Sequence, residues 1–316
     1  MSRRPHFFQH AGFRIVSGSG PKQTSCMDSP PPHVGNWDPS TNKRQKTRGE
    51  EEEELGRELL AHYGSAEQLF GGSGLDAALV APLVGFESRL AELVAETARR
   101  LGVPTRTVLD VGCSVGGASF ALAKHFEAVM GIDLSHEFVT AATSLKHKGC
   151  VHGRRRDEGH VGSDVLVGPD CNPAVRERVV FRQMDPCCLA ADMGPYDVVL
   201  VNSVLDRVPA PKSCLGRMGG ERPMVSRGGL LVVASSYSWS ENVADKKLWL
   251  GGVARADGTS DSSPEHLKAY LAGEGFDLLS VSLAGQKREP NTGPLFWVWL
   301  FAHRGFLPLN PLAPAV

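Results

Sequence analysis

A glycine-rich turn beside acidic side chains is the stretch of the sequence best suited to chemistry. It reads LDVGCSVGG, with Asp110 two positions before Gly112 and with Gly116 near its end. A second apolar run, VMGID, ends in Asp133. Glycine tolerates the positive φ angles of a tight turn and lets the backbone approach a ligand, while a carboxylate accepts hydrogen bonds from hydroxyl and amino groups. The pattern predicts one half of a nucleotide-binding α/β unit.

The turn departs from the pattern of dinucleotide-binding proteins. Those proteins space their glycines as GxGxxG, which places a pyrophosphate at a helix N-terminus. Here Ser114 stands where the second glycine belongs, and Asp110 would set a negative charge beside the phosphates. A ligand without phosphate is therefore favoured, and a nicotinamide-dependent oxidoreductase is disfavoured.

These residues resemble the first two motifs of class I S-adenosylmethionine (SAM) methyltransferases. The resemblance implies SAM as the cofactor, with Asp110 near its cationic methionine end and Asp133 accepting from both ribose hydroxyls. It also implies contacts to SAM, or to the substrate bound beside it, from Gly112, Cys113, Ser114, Gly116, Met184, Asp185, Pro186 and Asn202. It implies no metal.

Simpler structural roles stand beside these assignments. Asp110 could be a turn residue, and Asp133 could be the N-cap of the helix that follows. Asp185 could be a solvated loop acid, and Asn202 suits a structural role as well as ligand contact. The residue types alone leave these alternatives open.

Buried strands that alternate with amphipathic helices must position these side chains. Apolar runs predict strands at residues 108–111, 129–133, 179–184, 196–201, 230–235, 278–283 and 295–302. Helical periodicity is clearest over residues 86–101, and the polar residues 149–175 indicate a surface insertion. The predicted fold is a Rossmann-like α/β domain, a seven-stranded class I methyltransferase sheet with helices on both faces and a terminal antiparallel β-hairpin.

Composition excludes several classes of function. The 316 residues carry 34 basic and 35 acidic side chains, for a formal net charge of −1, so the basic excess typical of nucleic-acid binding is missing. No apolar run reaches the roughly 18 residues of a membrane span. The seven cysteines form no CxxC pair, which favours neither a zinc site nor a disulfide framework and fits a reducing, cytoplasmic location.

Composition also divides the chain into four predicted segments. Residues 1–48 are a disordered tail whose basic, acid-free start is also compatible with an organelle import signal. Residues 49–106 form an N-terminal helical cap or lid, and residues 107–304 form the SAM-binding methyltransferase domain. Residues 305–316 are a flexible tail.

The second half of the chain carries a more selective resemblance. Residues 235–252 (SSYSWSENVADKKLWLGG), residues 202–218 (NSVLDRVPAPKSCLGRM) and the upstream LAHYG resemble the mercaptohistidine methyltransferases of ovothiol biosynthesis. That family methylates a ring nitrogen of thiohistidine, often as one domain of a fusion to an iron-dependent sulfoxide synthase. The resemblance implies a stand-alone form here, with thiohistidine as substrate and a separate sulfoxide synthase as functional partner.

Four side chains are predicted to face the methyl acceptor. Tyr237 and Trp239 could stack on an imidazole, and Glu241 could pair with an amino group. His62 lies on a helix that could close over the site. The alternatives are a packed aromatic cover over the cofactor and a core or surface role for His62.

The predicted reaction is an in-line transfer of the SAM methyl group to the ring nitrogen. Imidazole is mostly neutral and nucleophilic at neutral pH, given a reference pKa of about 6.5, so no strong base is required. The proton lost afterwards can go to water, His62 or Glu241. Two other functions stay open: methylation of another small amine, histidine or phenol, and a non-catalytic methyltransferase-like subunit that supports a partner.

Overall fold

The computed structural model describes residues 48–71, 74, 80, 84–159, 161–255, 257–284 and 296–304. All of them belong to one compact unit, Arg48–Val316. The two predicted tails, with the import signal considered for the first, lie outside the described residues except for Arg48. Among the described helices, none is long and apolar enough to cross a membrane.

A seven-stranded sheet forms the centre of this unit. The described strands are β1 (Thr107–Val111), β2 (Ala128–Asp133), β3 (Val151–Glu158), β4 (Val161–Val167), β5 (Val179–Gln183), β6 (Tyr196–Asn202), β7 (Val225–Ser235), β8 (Phe276–Ala284) and β9 (Phe296–His303). The large sheet has the order β5-β2-β1-β6-β7-β9-β8. Its first five strands pair in parallel, and β9 pairs antiparallel with β7 and β8. The predicted class I methyltransferase sheet, with its closing antiparallel pair, is confirmed.

Helices connect the strands and cover the sheet. The described α-helices are α1 (Arg48–Tyr63), α2 (Ala66–Phe70), α3 (Phe86–Leu101), α4 (Gly117–Leu122), α5 (His136–Lys148), α6 (Pro173–Arg176), α7 (Pro211–Gly216) and α8 (Ser263–Gly273). A short 3-10 helix covers Lys246–Leu248. The amphipathic helix predicted over residues 86–101 is confirmed as α3.

The central strands are buried on both faces, which explains why their sequences are mostly apolar and do not alternate. Every residue of β6 is buried, and β1 is buried from Val108 onward. A parallel strand covered by helices on both sides has no wet face, so its sequence does not alternate. The apolar stripe of α3, with Leu90, Val94 and Ala98, packs into the same core as Val108 and Leu200.

The strand order reverses between β1 and β6. The chain leaves β1 for β2 on one side and later returns to β6 on the other. In open α/β sheets such a reversal opens a crevice beyond the carboxyl ends of the strands, where ligands bind. Because α3 packs on the sheet and leads directly into β1, it runs antiparallel to that strand. Its first turn therefore lies at the carboxyl ends of the strands. This carboxyl edge therefore collects the residues after β1, β2 and β6 and the start of α3.

The predicted surface insertion at residues 149–175 contains regular structure that its composition does not reveal. β3 and β4 pair as an antiparallel hairpin, separate from the large sheet. α1 packs on this hairpin: a Cβ at Gly153 would lie 3.1 Å from Leu59, and Arg156 Nη1 lies 2.8 Å from Glu53 Oε1. Charged side chains hide the strand pattern because much of the hairpin is exposed to solvent.

Candidate functional site

The glycine turn after β1 has left-handed backbone angles at three positions. The φ angle is 74° at Gly112, 48° at Ser114 and 89° at Gly116. A Cβ at Gly112 would collide with Val204 Cγ2, and one at Gly116 would lie 2.7 Å from Phe181 Cζ. The packing of the chain itself therefore requires glycine at both positions. Ser114 holds a conformation that costs energy for a residue with a side chain.

Asp110 is fully buried near the end of β1, and only one of its carboxyl oxygens is satisfied. Oδ2 accepts a hydrogen bond from Ser119 Oγ at 2.6 Å. For Oδ1, the described residues supply no donor. Burial raises the pKa of Asp110 to about 7, because the protein interior disfavours the charged form. An enclosed acceptor of this kind is satisfied best by a donor or a cation from a ligand.

Asp133 ends β2 and faces the same turn. Its Oδ2 accepts from the Ser114 N–H, and its Oδ1 accepts from the Ser135 N–H, both at 2.9 Å. Burial raises the pKa of Asp133 despite these two bonds. The N-cap of α5 is Ser135, whose Oγ accepts from the Phe138 N–H, so the alternative role of Asp133 as the cap is wrong. Each carboxylate oxygen keeps a second lone pair, which leaves Asp133 able to accept from ribose hydroxyls.

Cys113 takes part in the turn through its backbone. Its N–H donates to the Ile132 carbonyl oxygen at 2.9 Å. Burial raises the pKa of the Cys113 thiol well above its usual value, so the thiol stays neutral. Elsewhere, Cys188 is disulfide-bonded, which the cysteine spacing does not predict.

The residues after β5 lie beside Asp133. The Met184 N–H donates to the Asp133 carbonyl oxygen at 2.8 Å, and Pro186 is buried. Asp185 is exposed, and its Oδ1 accepts from the Cys187 N–H at 2.8 Å. Asp185 therefore has a turn-stabilising role in this structure, next to the strand end where the resemblance implies an adenine contact.

α1 lies directly over the glycine turn and is hydrogen-bonded to it. Tyr63 Oη donates to the Val115 carbonyl oxygen at 2.6 Å, and Ser114 Oγ donates to Glu58 Oε2 at 2.7 Å. Burial acts to raise the pKa of Glu58, but hydrogen bonds from His62 and Ser114 outweigh it and lower that pKa to about 2. Glu58 is therefore a fixed negative charge that α1 places beside the turn.

His62 is held by the turn on one side and by Glu58 on the other. Its Nδ1 accepts from the Gly117 N–H at 3.1 Å, and a Cβ at Gly117 would collide with the ring. Its Nε2 lies 3.6 Å from Glu58 Oε2, so the neutral ring carries its proton on Nε2. Burial acts to lower the pKa of His62, but the carboxylates of Glu87 and Glu58 outweigh it and raise that pKa.

A pair formed by Glu87 and Asn202 completes the carboxyl edge. Asn202 ends β6 and is 7% exposed, and its Nδ2 donates to both Glu87 carboxylate oxygens, at 3.0 and 3.3 Å. Burial raises the pKa of Glu87, and the charge of His62 acts in the opposite direction. Nothing in the sequence distinguishes Glu87 from an ordinary acid in the first turn of a helix, where the helix dipole favours one.

The loop after β7 packs its aromatic side chains against one another. Trp239 stacks on Trp249 with ring centroids 6.1 Å apart, and its Nε1–H donates to Ser263 Oγ at 2.8 Å. The Tyr237 ring lies 6.4 Å from Trp239, tilted by 36°. Burial raises the pKa of Tyr237 well above its usual value. Trp249 occupies one face of the Trp239 ring, and Ser263 accepts from its N–H. These contacts favour Trp239 as part of a packed aromatic cover over the cofactor rather than as a residue that stacks on the substrate.

Glu241 lies at the surface of this loop. Lys246 Nζ donates to its Oε1 at 2.6 Å, and both side chains are more than half exposed. Among the contacts of the described residues, none joins Glu241 to the glycine turn or to the carboxylates beside it. The structure therefore does not bring Glu241 together with the other predicted site residues.

Asp206 anchors the start of the same loop. It lies within residues 202–218, but no role is predicted for it from the sequence. Its Oδ2 accepts from Ser236 Oγ at 2.9 Å and from the Ser238 N–H at 2.8 Å. Asp206 is 6% exposed. These two bonds fix the backbone on both sides of Tyr237, whose φ angle is 52°.

The glycine turn, the acids at the strand ends and the sheet order together define a class I SAM-dependent methyltransferase. A family model described as a methyltransferase domain matches residues 86–281. The match spans well over half of the chain, and the chain therefore belongs to this methyltransferase family.

Individual relatives are more distant. The ubiquinone biosynthesis O-methyltransferase of Caulobacter vibrioides is 30% identical over 195 residues, which cover 60% of this chain and 66% of that protein. The SAM-bound magnesium protoporphyrin IX methyltransferase of Synechocystis PCC 6803 is 16% identical, with a TM-score of 0.45 over 84% of this chain and 100% of that one. A SAM-dependent methyltransferase of Clostridium acetobutylicum is 13% identical, with a TM-score of 0.46 over 72% of this chain and 95% of that one.

Proposed function

We propose that the chain is an active SAM-dependent methyltransferase whose acceptor is a ring nitrogen of thiohistidine, the last methylation of ovothiol biosynthesis. The cofactor assignment rests chiefly on Asp110 Oδ1, a buried acceptor that lacks a donor among the described residues and lies beside a methyltransferase-type glycine turn. The acceptor assignment is supported by the resemblance of residues 235–252 to the mercaptohistidine methyltransferases and by the acidic carboxyl edge.

The residues at this edge fit SAM. Its ammonium and sulfonium groups are cations, and Glu58, Asp110 and Asp133 place negative charge around the turn. Asp133 is able to accept from the ribose hydroxyls, with Met184 beside it on the adenine side. When bound, SAM supplies an electrophilic methyl group on its sulfonium sulfur.

The chain contributes orientation and exclusion of water rather than strong acid–base chemistry. α1 shields the turn through Tyr63 and through His62, whose side chain is 11% exposed. Excluding water strengthens the electrostatic interactions within the site. Holding two reactants in line is worth effective molarities of about 10⁵ M or more in favourable cases. Positioning therefore accounts for much of the expected rate.

Water is the proposed acceptor of the proton that the methylated ring loses. His62 Nδ1 already accepts from the Gly117 N–H, its Nε2 carries a proton, and Glu241 is paired with Lys246. His62 is therefore a positioning residue. A neutral imidazole nucleophile has little need of a base, because its reference pKa is about 6.5.

A phenol is the second candidate acceptor, because the relative at 30% identity is an O-methyltransferase. A phenol has a pKa of about 10, so its methylation depends on a general base far more than methylation of imidazole does. The engagement of His62 and Glu241 therefore favours the nitrogen acceptor. In this proposal a separate iron-dependent sulfoxide synthase supplies the thiohistidine.

The test is mass spectrometry of the products formed from SAM and 5-thiohistidine, with histidine and a catechol as competing acceptors. We expect thiohistidine to gain one methyl group on the ring. Turnover of the catechol without turnover of thiohistidine would show that the methyl acceptor is a phenol and not a ring nitrogen. Absence of both SAM binding and turnover would instead favour a non-catalytic subunit.

A further inference from the structure

We infer that the Glu87 carboxylate, oriented by Asn202, binds the ammonium group of the amino-acid methyl acceptor. This inference rests on the proposed function, since it assigns a substrate contact within the same site. It makes Glu87 a specificity-determining residue that favours an α-amino acid over a neutral phenol. Among the described residues, no ion pair joins Glu87 to a lysine or arginine.

The position of Glu87 suits a contact with the acceptor. Its helix begins at the carboxyl edge, and Asn202 Nδ2 lies 3.0 and 3.3 Å from its two oxygens. Asn202 itself is fixed from the other side, because Ser203 Oγ donates to its Oδ1 at 3.1 Å. The amide thus presents the carboxylate in one orientation at the end of β6, where the resemblance places a polar residue facing the substrate.

The acidic groups of the edge favour contact with a cationic group of the acceptor in addition to SAM. Ser114 in the turn is hydrogen-bonded to both Glu58 and Asp133. Glu87 reaches the same turn through Asn202, whose backbone carbonyl oxygen would lie 3.4 Å from a Cβ at Gly112. Bound SAM brings only one more positive than negative charge, and His62 brings at most one. Several negative charges at low solvent exposure are costly unless cations face them. An amino-acid acceptor is a zwitterion and adds no net charge, but its ammonium group can place such a cation directly against Glu87.

Assignment of the other carboxylates leaves Glu87 for this role. Asp133 is bonded to the turn and to Ser135 on the ribose side. Glu58 is bonded to Ser114 and lies next to His62. Asp110 is buried inside the turn region, 0% exposed.

Asp110 is the sign that this edge receives a ligand, which the proposed function takes to be SAM. Its Oδ1 is enclosed, and the described part of the chain offers it no donor. The charge of Glu87 contributes to raising the pKa of Asp110, after burial itself. The ammonium predicted to meet Glu241 has a partly buried carboxylate, oriented by Asn202, in Glu87 instead. Glu241 is exposed and held by Lys246.

The test is the substitution Glu87→Gln, combined with removal of the amino group from the substrate. Binding to the protein saturated with S-adenosylhomocysteine is measured by calorimetry for thiohistidine and for its desamino analogue. We expect Glu87→Gln to weaken thiohistidine binding about 10- to 100-fold, the range for loss of one charge-assisted contact. The affinities for the desamino analogue and for SAM should change less than about twofold. Glu96→Gln, at an exposed position of the same helix, is the matched control and should leave all three affinities unchanged.

Three outcomes would overturn the inference. Equal losses for thiohistidine and its desamino analogue would show a structural role, and weakened SAM binding would show that Glu87 holds the ammonium of SAM. Failure of the wild-type protein to bind thiohistidine would show that thiohistidine is not a ligand of this site, so Glu87 could not bind its ammonium group. Binding of thiohistidine without methyl transfer would contradict the proposed function while leaving the ammonium contact at Glu87 intact.

Discussion

At the scale of single residues, the charge of Asp110 depends on pH near neutrality. Burial raises its pKa to about 7, whereas an aspartate in an unfolded chain titrates near ~3.9. The folded state therefore binds a proton that the unfolded state has lost between these values. Stability contributed by Asp110 is lost as the pH rises from about 4 to about 7, and a bound cation offsets this loss by favouring the ionised carboxylate.

SAM should consequently bind more tightly as the pH rises from 6 to 8, and Asp110→Asn should remove much of that dependence. At pH 8 the variant should bind SAM about tenfold more weakly or worse, because the amide cannot balance a cation. Calorimetric titration at both pH values measures this effect. Asp164→Asn, at an exposed position of β4, is the control. An unchanged pH dependence in Asp110→Asn would contradict the assignment of Asp110 to the cationic end of SAM.

Two tyrosines allow a matched test of buried hydroxyl groups. The Tyr237 Oη is buried and, apart from a weak contact with the Trp299 side chain, makes no hydrogen bond in the described part of the chain, whereas the Tyr63 Oη donates to Val115 at 2.6 Å. We expect Tyr237→Phe to leave the free energy of unfolding unchanged or to raise it, and Tyr63→Phe to lower it by about 1 kcal/mol. Urea denaturation of both variants measures the difference. A large loss of activity in Tyr237→Phe at unchanged stability would instead assign its hydroxyl to the acceptor.

At the scale of elements, α1 connects the β3–β4 hairpin to the glycine turn. One side of the helix contacts the hairpin, where a Cβ at Gly56 would collide with the Arg154 carbonyl oxygen. The other side carries Glu58 and Tyr63 to the turn. The hairpin thus supports the helix that covers the cofactor site. A substitution at the contact between α1 and the hairpin should therefore shift α1 and change the affinity for SAM.

Gly56→Ala should therefore weaken SAM binding although Gly56 faces away from the turn. The added methyl forces α1 and the hairpin apart, so we expect about a tenfold loss of affinity and faster amide hydrogen exchange in α1. Gly49→Ala is the matched control on the same helix, because a Cβ there meets nothing within 4 Å. Because alanine is a better helix former than glycine by about 1 kcal/mol, Gly49→Ala should keep α1 intact and leave SAM affinity unchanged. An unchanged SAM affinity in Gly56→Ala would show that the hairpin does not support the site.

At the scale of the whole molecule, the sequence predicts the sheet better than it predicts the site. The mostly apolar runs of β1 and β6 can be recognised in the sequence because both faces of each strand are buried, and the LDVGCSVGG turn marks where the crevice opens. Glu87 and Asp206 are not predictable, since each acquires its role only when strands distant in sequence bring it to the carboxyl edge. Glu241 shows the converse: a charged residue beside a recognisable motif is paired at the surface with Lys246.

The same whole-molecule view makes ligand-linked stability the simplest test of what the crevice holds. SAM binds residues from α1, β1 and β2 in this proposal, so it should stabilise the folded unit as a whole. At a concentration about one hundred times its Kd, SAM should add about 2.7 kcal/mol and raise the thermal unfolding midpoint by roughly 5 °C or more. The measurement is a thermal scan across a SAM titration.

NAD is the matched control ligand, because Ser114 in the turn and the buried Asp110 oppose a pyrophosphate at this position. We expect NAD to leave the midpoint unchanged at concentrations where SAM shifts it. A shift of the midpoint with NAD but not with SAM would show that the turn binds a dinucleotide. A midpoint unaffected by millimolar SAM would mean that the carboxylates at the edge do not hold this cation, and the non-catalytic alternative would then account for the chain better than the enzyme does.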